Sequence, residues 1–262
     1  MLNTFLKTYF QNRPLFLGLI RAKELELFRR FLPHSVSVPG YRILDFGCGD
    51  GFFSRTLMNG LLISLTAADR DVKTVGKAVT AGIYSQATCA DGARLPFKTG
   101  SFDLIIANSV LEHVENLQHT IQELYRVLKG GGTMLCSVMT DRWEAYLLGR
   151  AWFGKAYASW LRQRQKHQHL LQSEEWHARF EQAGLYQRSV IGYLNKKGSH
   201  WLELLHYPSA PALVSHRLFG KWVLFPFLFD LLPLHRLLAP LASNDIPVEE
   251  AAALFFALDK TA

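Results

Sequence analysis

Between residues 41 and 140, short apolar runs alternate with segments of helical period. RILDF (42–46), LLISLTAA (61–68), FDLIIA (102–107) and TMLCSV (133–138) have the length of buried strands, and YSQATC (84–89) is a weaker fifth. A helical segment at 52–58 stops at Asn59-Gly60, and another at 73–81 closes at Gly82. Leu117, Ile121, Leu124 and Leu128 share one helical face, which the glycines at 130–132 are expected to stop. Parallel strands need a crossover about as long as a helix. This alternation therefore predicts a parallel, doubly wound sheet with helices on both faces.

The flanks differ. Residues 1–32 have the pattern of two helices, with Pro14 opening the second and the stretch 33–40 ending it. Residues 141–184 are mostly helical, 186–194 suit a strand, and AALFFAL (252–258) suits a last buried one. Between them, 199–245 is apolar, aromatic and broken by prolines.

In ILDFGCGDG (43–51) the glycines follow G-x-G-x-G, not the G-x-G-x-x-G of dinucleotide sites. Asp45 stands two residues before the first of them. A carboxylate there would repel a pyrophosphate at the helix N-terminus and favour a ligand carrying an ammonium group and no phosphate. S-adenosylmethionine (SAM) is such a ligand. Asp69 ends the second strand, where it can accept ribose hydroxyls, and Asp91 can accept from an adenine amino group. Asn108 and Ser109 follow the fourth strand at the mouth of the same cleft. Each carboxylate also has a plain structural role: helix charge partner for Asp45, helix cap for Asp69, turn residue for Asp91.

ILDFGCGDG, AAD (67–69), DGARLPF (91–97), SFDLIIANSVLEHV (101–114) and RVLKGGG (126–132) together resemble a class I SAM-dependent methyltransferase. The nearest subgroup is the small-molecule and lipid type that includes ubiquinone-biosynthesis methyltransferases. The resemblance covers residues 41–140. It implies a Rossmann-like α/β fold with a seven-stranded sheet, order 3-2-1-4-5-7-6, strand 7 antiparallel. It implies that Asp45 and the loop glycines Gly47 and Gly49 bind the methionine end, Asp69 the ribose, and Asp91 with Gly92 the adenine. Phe46, Cys48, Arg70, Asn108 and Ser109 complete the expected cofactor-binding set. The implied organisation is a helical extension (1–40), a SAM-binding core (41–140), a helical acceptor region (141–184), and C-terminal strands (185–262) carrying the apolar insert 199–245.

His113, just past the fourth strand, is the candidate for a catalytic base or substrate contact, and a structural histidine is the favoured alternative. Some relatives bind a metal through Glu-x-x-Glu-His at this place. Here Ser109 replaces the first carboxylate, and no metal is expected. His167 and His169 are expected on a solvated basic helix face, with reach toward the acceptor from a lid as the weighed alternative. Trp143, Tyr146, Trp152, Phe153, Tyr157 and Trp160 suit an apolar or flat acceptor. The expected function is methyl transfer to a hydrophobic small-molecule or lipid-linked acceptor.

The net charge of +7 admits an anionic partner. The basic residues are scattered, with one modest cluster at 162–166, and Asn108 is not followed by the Pro-Pro-aromatic stretch of base-amino methylases. Nucleic acid is therefore disfavoured. RNA or protein methylation and a non-catalytic SAM-binding role remain the alternatives. Three dispersed cysteines without a CxxC indicate a reducing, cytoplasmic setting, and 15–20 is too short for a signal-peptide core. WVLFPFLFDLLPL (222–234) contains Asp230 and two prolines, which excludes a membrane span. A buried cap is expected there. The weighed alternative is peripheral membrane contact through 1–32 or through 199–245, the latter flanked by Arg217, Lys221, His235 and Arg236.

Overall fold

The computed structural model describes residues 1–61 and 63–262. Its strands are β1 (Ile43–Phe46), β2 (Leu65–Asp69), β3 (Tyr84–Cys89), β4 (Phe102–Asn108), β5 (Leu128–Met139), β6 (Leu185–Tyr193) and β7 (Ala253–Lys260). They form one sheet in the order β3-β2-β1-β4-β5-β7-β6. Pairing is parallel from β3 through β5, and β7 runs antiparallel to both β5 and β6. The expected fold is the observed one.

The helices are α1 (Leu2–Asn12), α2 (Leu15–Phe31), α3 (Phe52–Leu57), α4 (Val72–Val79), α5 (Leu117–Val127), α6 (Asp141–Ala145), α7 (Leu148–Gln165), α8 (Ser173–Gln182), α9 (Lys196–Leu204), α10 (Ala210–Phe219), α11 (Leu228–Leu231) and α12 (Leu234–Leu238). Strand β7 shows how they layer. Its Phe255 meets Phe28 of α2 at 5.1 Å between ring centroids, while the next residue, Phe256, meets Phe180 of α8 at 5.1 Å. Successive strand residues face opposite ways, so α2 and α8 cover opposite faces of the sheet. Leu19, Ala22, Leu25 and Phe28, at helical spacing, bury the inner stripe of α2.

Three expectations about elements change. The second strand begins at Leu65, not residue 61, and Leu62 lies outside the described residues. Helix α5 ends at Val127, before the glycines; Leu128 is already extended, and the glycines lie within β5. Gly131 takes φ +74° there, and the β4–β5 register shifts between Phe102 and Leu104. Residues 199–245 are not a buried cap. Leu202, Leu205 and Leu238 point inward, but Leu218, Phe219, Phe225, Phe227 and Leu231 are exposed. Gly220, Pro226 and Pro233 cut this stretch into short helices with few inward positions. Among the described residues no helix is long and apolar enough to cross a membrane.

Candidate active site

The β1–α3 loop, at the carboxyl end of the sheet, forms the first wall. Gly47 adopts φ +69°, and a Cβ there would lie 2.3 Å from Val110 Cγ2. Only glycine satisfies both constraints. The Gly47 N–H donates to Ala68 O at 2.7 Å, tying the loop to β2. Gly49 N–H donates to Asp69 Oδ2 at 3.1 Å and Asp71 N–H to Oδ1 at 3.0 Å, so two amides orient the Asp69 carboxylate. Asp91 Oδ1 accepts the Ala93 N–H at 3.0 Å in its own turn.

These residues border a cleft of about 500 Å³. Phe46, Gly47, Asp69, Arg70, Asp91, Gly92, Ser109 and His113 line it; Asp45, Cys48, Gly49 and Asn108 do not. Asp45 is 3% exposed, behind the glycine loop, where Tyr84 Oη donates to its Oδ2 at 2.5 Å. Burial pushes its carboxyl up to about 6, opposed by hydrogen bonds from Tyr84 and Ser54. The thiol of Cys48 is likewise buried and pushed up. The negative charge facing the cleft comes instead from Asp69, Asp91 and Glu115. Their one basic counterpart on the cleft wall, among the described residues, is Arg70, 3.5 Å from Glu115. This donor set suits a cationic nucleoside and opposes a diphosphate. With the bare Gly47 backbone on the wall, it fits SAM.

A second cleft of about 400 Å³ shares Ser109 and His113 with the first. Most of its surface is apolar, from Phe16, Leu17 and Ile20 of α2, Met139 of β5, Trp143 of α6, Leu161 of α7, Leu202 of α9 and Leu213 of α10, and Arg21, Glu112, Arg164, His167 and His206 also line it. His113 stands at the junction. Its Nδ1 lies 3.1 Å from Lys166 O, and a carbonyl only accepts, so Nδ1 carries the proton. Nε2 keeps its lone pair. Burial lowers the His113 pKa and holds the ring neutral.

His167 does not lie on a solvated helix face. Helix α7 ends at Gln165, Lys166 turns left-handed, and His167 is 7% exposed inside the second cleft. Its ring lies 4.9 Å from His113 and 4.7 Å from Trp143, and burial lowers its pKa to about 3. Lys166 brings this about: its left-handed backbone reverses the chain, and the Gln168 and His169 amides bond to Glu112 O at 2.8 and 3.0 Å. Glu112 itself is fully buried on the cleft wall. Neither carboxylate oxygen has a hydrogen-bond partner among the described residues, and burial raises its pKa to about 8. It is a neutral acid at pH 7.

Asn108 belongs to a buried network built on α2. Glu24 accepts from Arg21 at 2.5 Å, Asn108 Nδ2 at 2.8 Å, Ser109 Oγ at 3.0 Å and Tyr193 Oη at 2.8 Å. Arg21 also donates to Asn108 Oδ1 at 3.0 Å and to Ser109 Oγ at 2.6 Å. The network clamps Ser109 at φ +48°, a strained value for serine, between the two clefts. Arg21, Glu24 and Tyr193 are participants that sequence reasoning missed. The available signal was an opposite-charge pair three residues apart within the apolar stretch LFLGLIRAKELELF.

A family model described as a methyltransferase domain matches residues 10–190. The chain belongs to this methyltransferase family. Its strand order is that of the class I SAM-dependent members, and SAM is their cofactor. A ubiquinone biosynthesis O-methyltransferase from Rhizobium etli is 25% identical over 194 residues, 72% of this chain and 77% of that protein. A malonyl-[acyl-carrier protein] O-methyltransferase from Legionella pneumophila is 33% identical over 106 residues, 37% of this methyltransferase-family chain. That match spans only 36% of the relative's own length. The crystal structure of a SAM-dependent methyltransferase from Mesorhizobium loti superposes with a TM-score of 0.57 at 18% identity, over 92% of this chain and 99% of that one. That likeness concerns the fold.

Proposed function

We propose that this chain transfers a methyl group from SAM to an apolar small-molecule or lipid-linked acceptor seated in the second cleft. The observation that carries the reading is the meeting of an acidic, glycine-walled cleft and an apolar cleft at Ser109 and His113. SAM, when bound, supplies a methyl group on a sulfonium already activated for displacement. Asp69 and Asp91 offer carboxylate acceptors to its ribose and adenine, and Phe46, Gly47, Arg70 and Gly92 wall its pocket. Asp45 and Gly49 act from behind by shaping the loop, and Asn108 acts through Ser137, whose Oγ accepts both from Asn108 Nδ2 and from the Ser109 N–H.

Phe16, Leu17, Ile20, Trp143 and Leu161 exclude water and hold the acceptor. Orientation of this kind is worth effective molarities of about 10⁵–10⁸ M. His113 Nε2 takes the proton of an acceptor hydroxyl, a further factor of about 10²–10⁴. Two relatives named as O-methyltransferases support an oxygen acceptor.

The test begins with calorimetric titration of SAM. Methyl-tritiated SAM is then incubated with the protein and fractionated cell extract. Label is expected in solvent-extractable small molecules, and its transfer is expected to fall sharply in Asp69→Ala. Absence of SAM binding, or label confined to RNA or protein, overturns the reading.

A further inference from the structure

The stretch of chain from α10 through α12 presents a surface that the two clefts do not explain. Val214, Leu218, Phe219, Phe225, Phe227 and Leu231 each expose more than half of their surface. Single exposed apolar residues are ordinary, but so many within one short stretch of chain mark an interaction surface. Its charge is one-sided. Arg217, Lys221 and Arg236 are exposed and without an acidic partner among the described residues. The one acidic residue between 204 and 242, Asp230, is paired with Lys7 at 2.7 Å.

We propose that this face docks the protein on an anionic lipid bilayer, lying in the interface with its apolar side chains among the acyl chains and its cations at the headgroups. The charge pattern selects this occupant over a second copy of the chain. A two-fold contact through this face would gather the unpaired cations of both copies into one contact with no free carboxylate of the stretch to offset them. An anionic surface instead neutralises all of them and accepts the apolar side chains without requiring a complementary shape.

The same helix connects the face to the second cleft. Leu213 and Ser209, at the start of α10, line that cleft, whereas Val214 and Leu218 point outward. An apolar acceptor dissolved in the bilayer therefore meets the cleft entrance without crossing water. This last step rests on the methyltransferase reading; the docking itself does not.

Sedimentation of the full chain with phosphatidylcholine vesicles, with and without phosphatidylglycerol, tests the proposal. Binding is expected to the anionic vesicles at low salt and to weaken as salt is raised. Arg217→Ala, Lys221→Ala and Arg236→Ala should each lower partitioning about fivefold. Leu218→Ser with Phe225→Ser should abolish it, while calorimetric SAM binding by these variants stays unchanged and shows them folded. Failure of the SAM-binding, folded protein to sediment with anionic vesicles overturns the proposal. So does a stable dimer in solution that Leu218→Ser with Phe225→Ser dissociates. If vesicles bind but SAM does not, docking stands and only the supply of acceptor falls.

Discussion

Asp69 holds its carboxylate at the cleft edge by accepting the Gly49 N–H at 3.1 Å, a bond between the end of β2 and the glycine loop after β1. Removing the carboxylate loses both the ligand contact and the loop's anchor. Hydrogen bonds to a charged group are worth about 1.5–3 kcal/mol. Asp69→Ala should weaken SAM binding by about 10- to 100-fold in calorimetry. Asp69→Asn should fall between, because its amide oxygen still accepts the Gly49 N–H. Unchanged affinity in Asp69→Ala would remove Asp69 from the site.

Gly47→Ala tests the wall of the same cleft. The added methyl would overlap Val110, which lines the same cleft, and the backbone would be left at φ +69°. The left-handed backbone alone costs about 1–2 kcal/mol in a non-glycine residue. Urea denaturation should show at least that loss, and SAM titration should show no saturation. Gly47→Ala combined with Val110→Ala should recover part of the binding but not the stability tied to φ.

What the sequence disclosed followed range. Strands β1, β4 and β7 are buried on both faces, so ILDF, FDLIIA and AALFFAL are continuous apolar runs that announce themselves. Asp69, Asp91 and the loop glycines are placed by neighbours close in sequence or by the strand ends that carry them. Arg21 and Glu24 were not legible, because Glu24 finds Asn108, Ser109 and Tyr193 at separations of 84, 85 and 169 residues. Asp45 was legible as a residue but not in its role. Its burial depends on Tyr84, 39 residues away, and the charge facing the cleft passes to Asp69, Asp91 and Glu115. His167 was misplaced because a left-handed residue, Lys166, ends a helix whose composition gave no stop there.

The buried carboxyls make stability depend on pH with a definite sign. Glu112 titrates at about 8 in the folded chain, against an ordinary 4.5. Between those values the folded state keeps a proton that the unfolded state releases, so this group's contribution falls as pH rises. The maximum slope is about 1.4 kcal/mol per pH unit. Asp45 acts in the same direction between 3.8 and about 6. Glu112→Gln should therefore gain stability over the parent chain as pH rises toward 8, then level off. Asp45→Asn should show its relative gain below pH 6. Urea denaturation across this range measures both differences; a constant Glu112→Gln difference would mean that Glu112 is ionised throughout.

His113 is the one side chain lining both clefts with a fixed tautomer and an unshared ring nitrogen. Burial lowers its pKa below 6.5, so it is a base over most of the physiological range and is silenced only in acid. The acid limb of kcat/KM should accordingly lie below pH 6.5. His113→Gln should remove that limb and lower kcat by about 10²–10⁴, far more than it changes SAM affinity. A structural histidine would behave otherwise: its loss would shift stability or KM, and the acid limb would persist. The neighbouring ring sharpens the assignment. His167, with its pKa at about 3, stays neutral wherever the enzyme is assayed, so His167→Gln should alter KM for the acceptor and leave the position of the limb untouched.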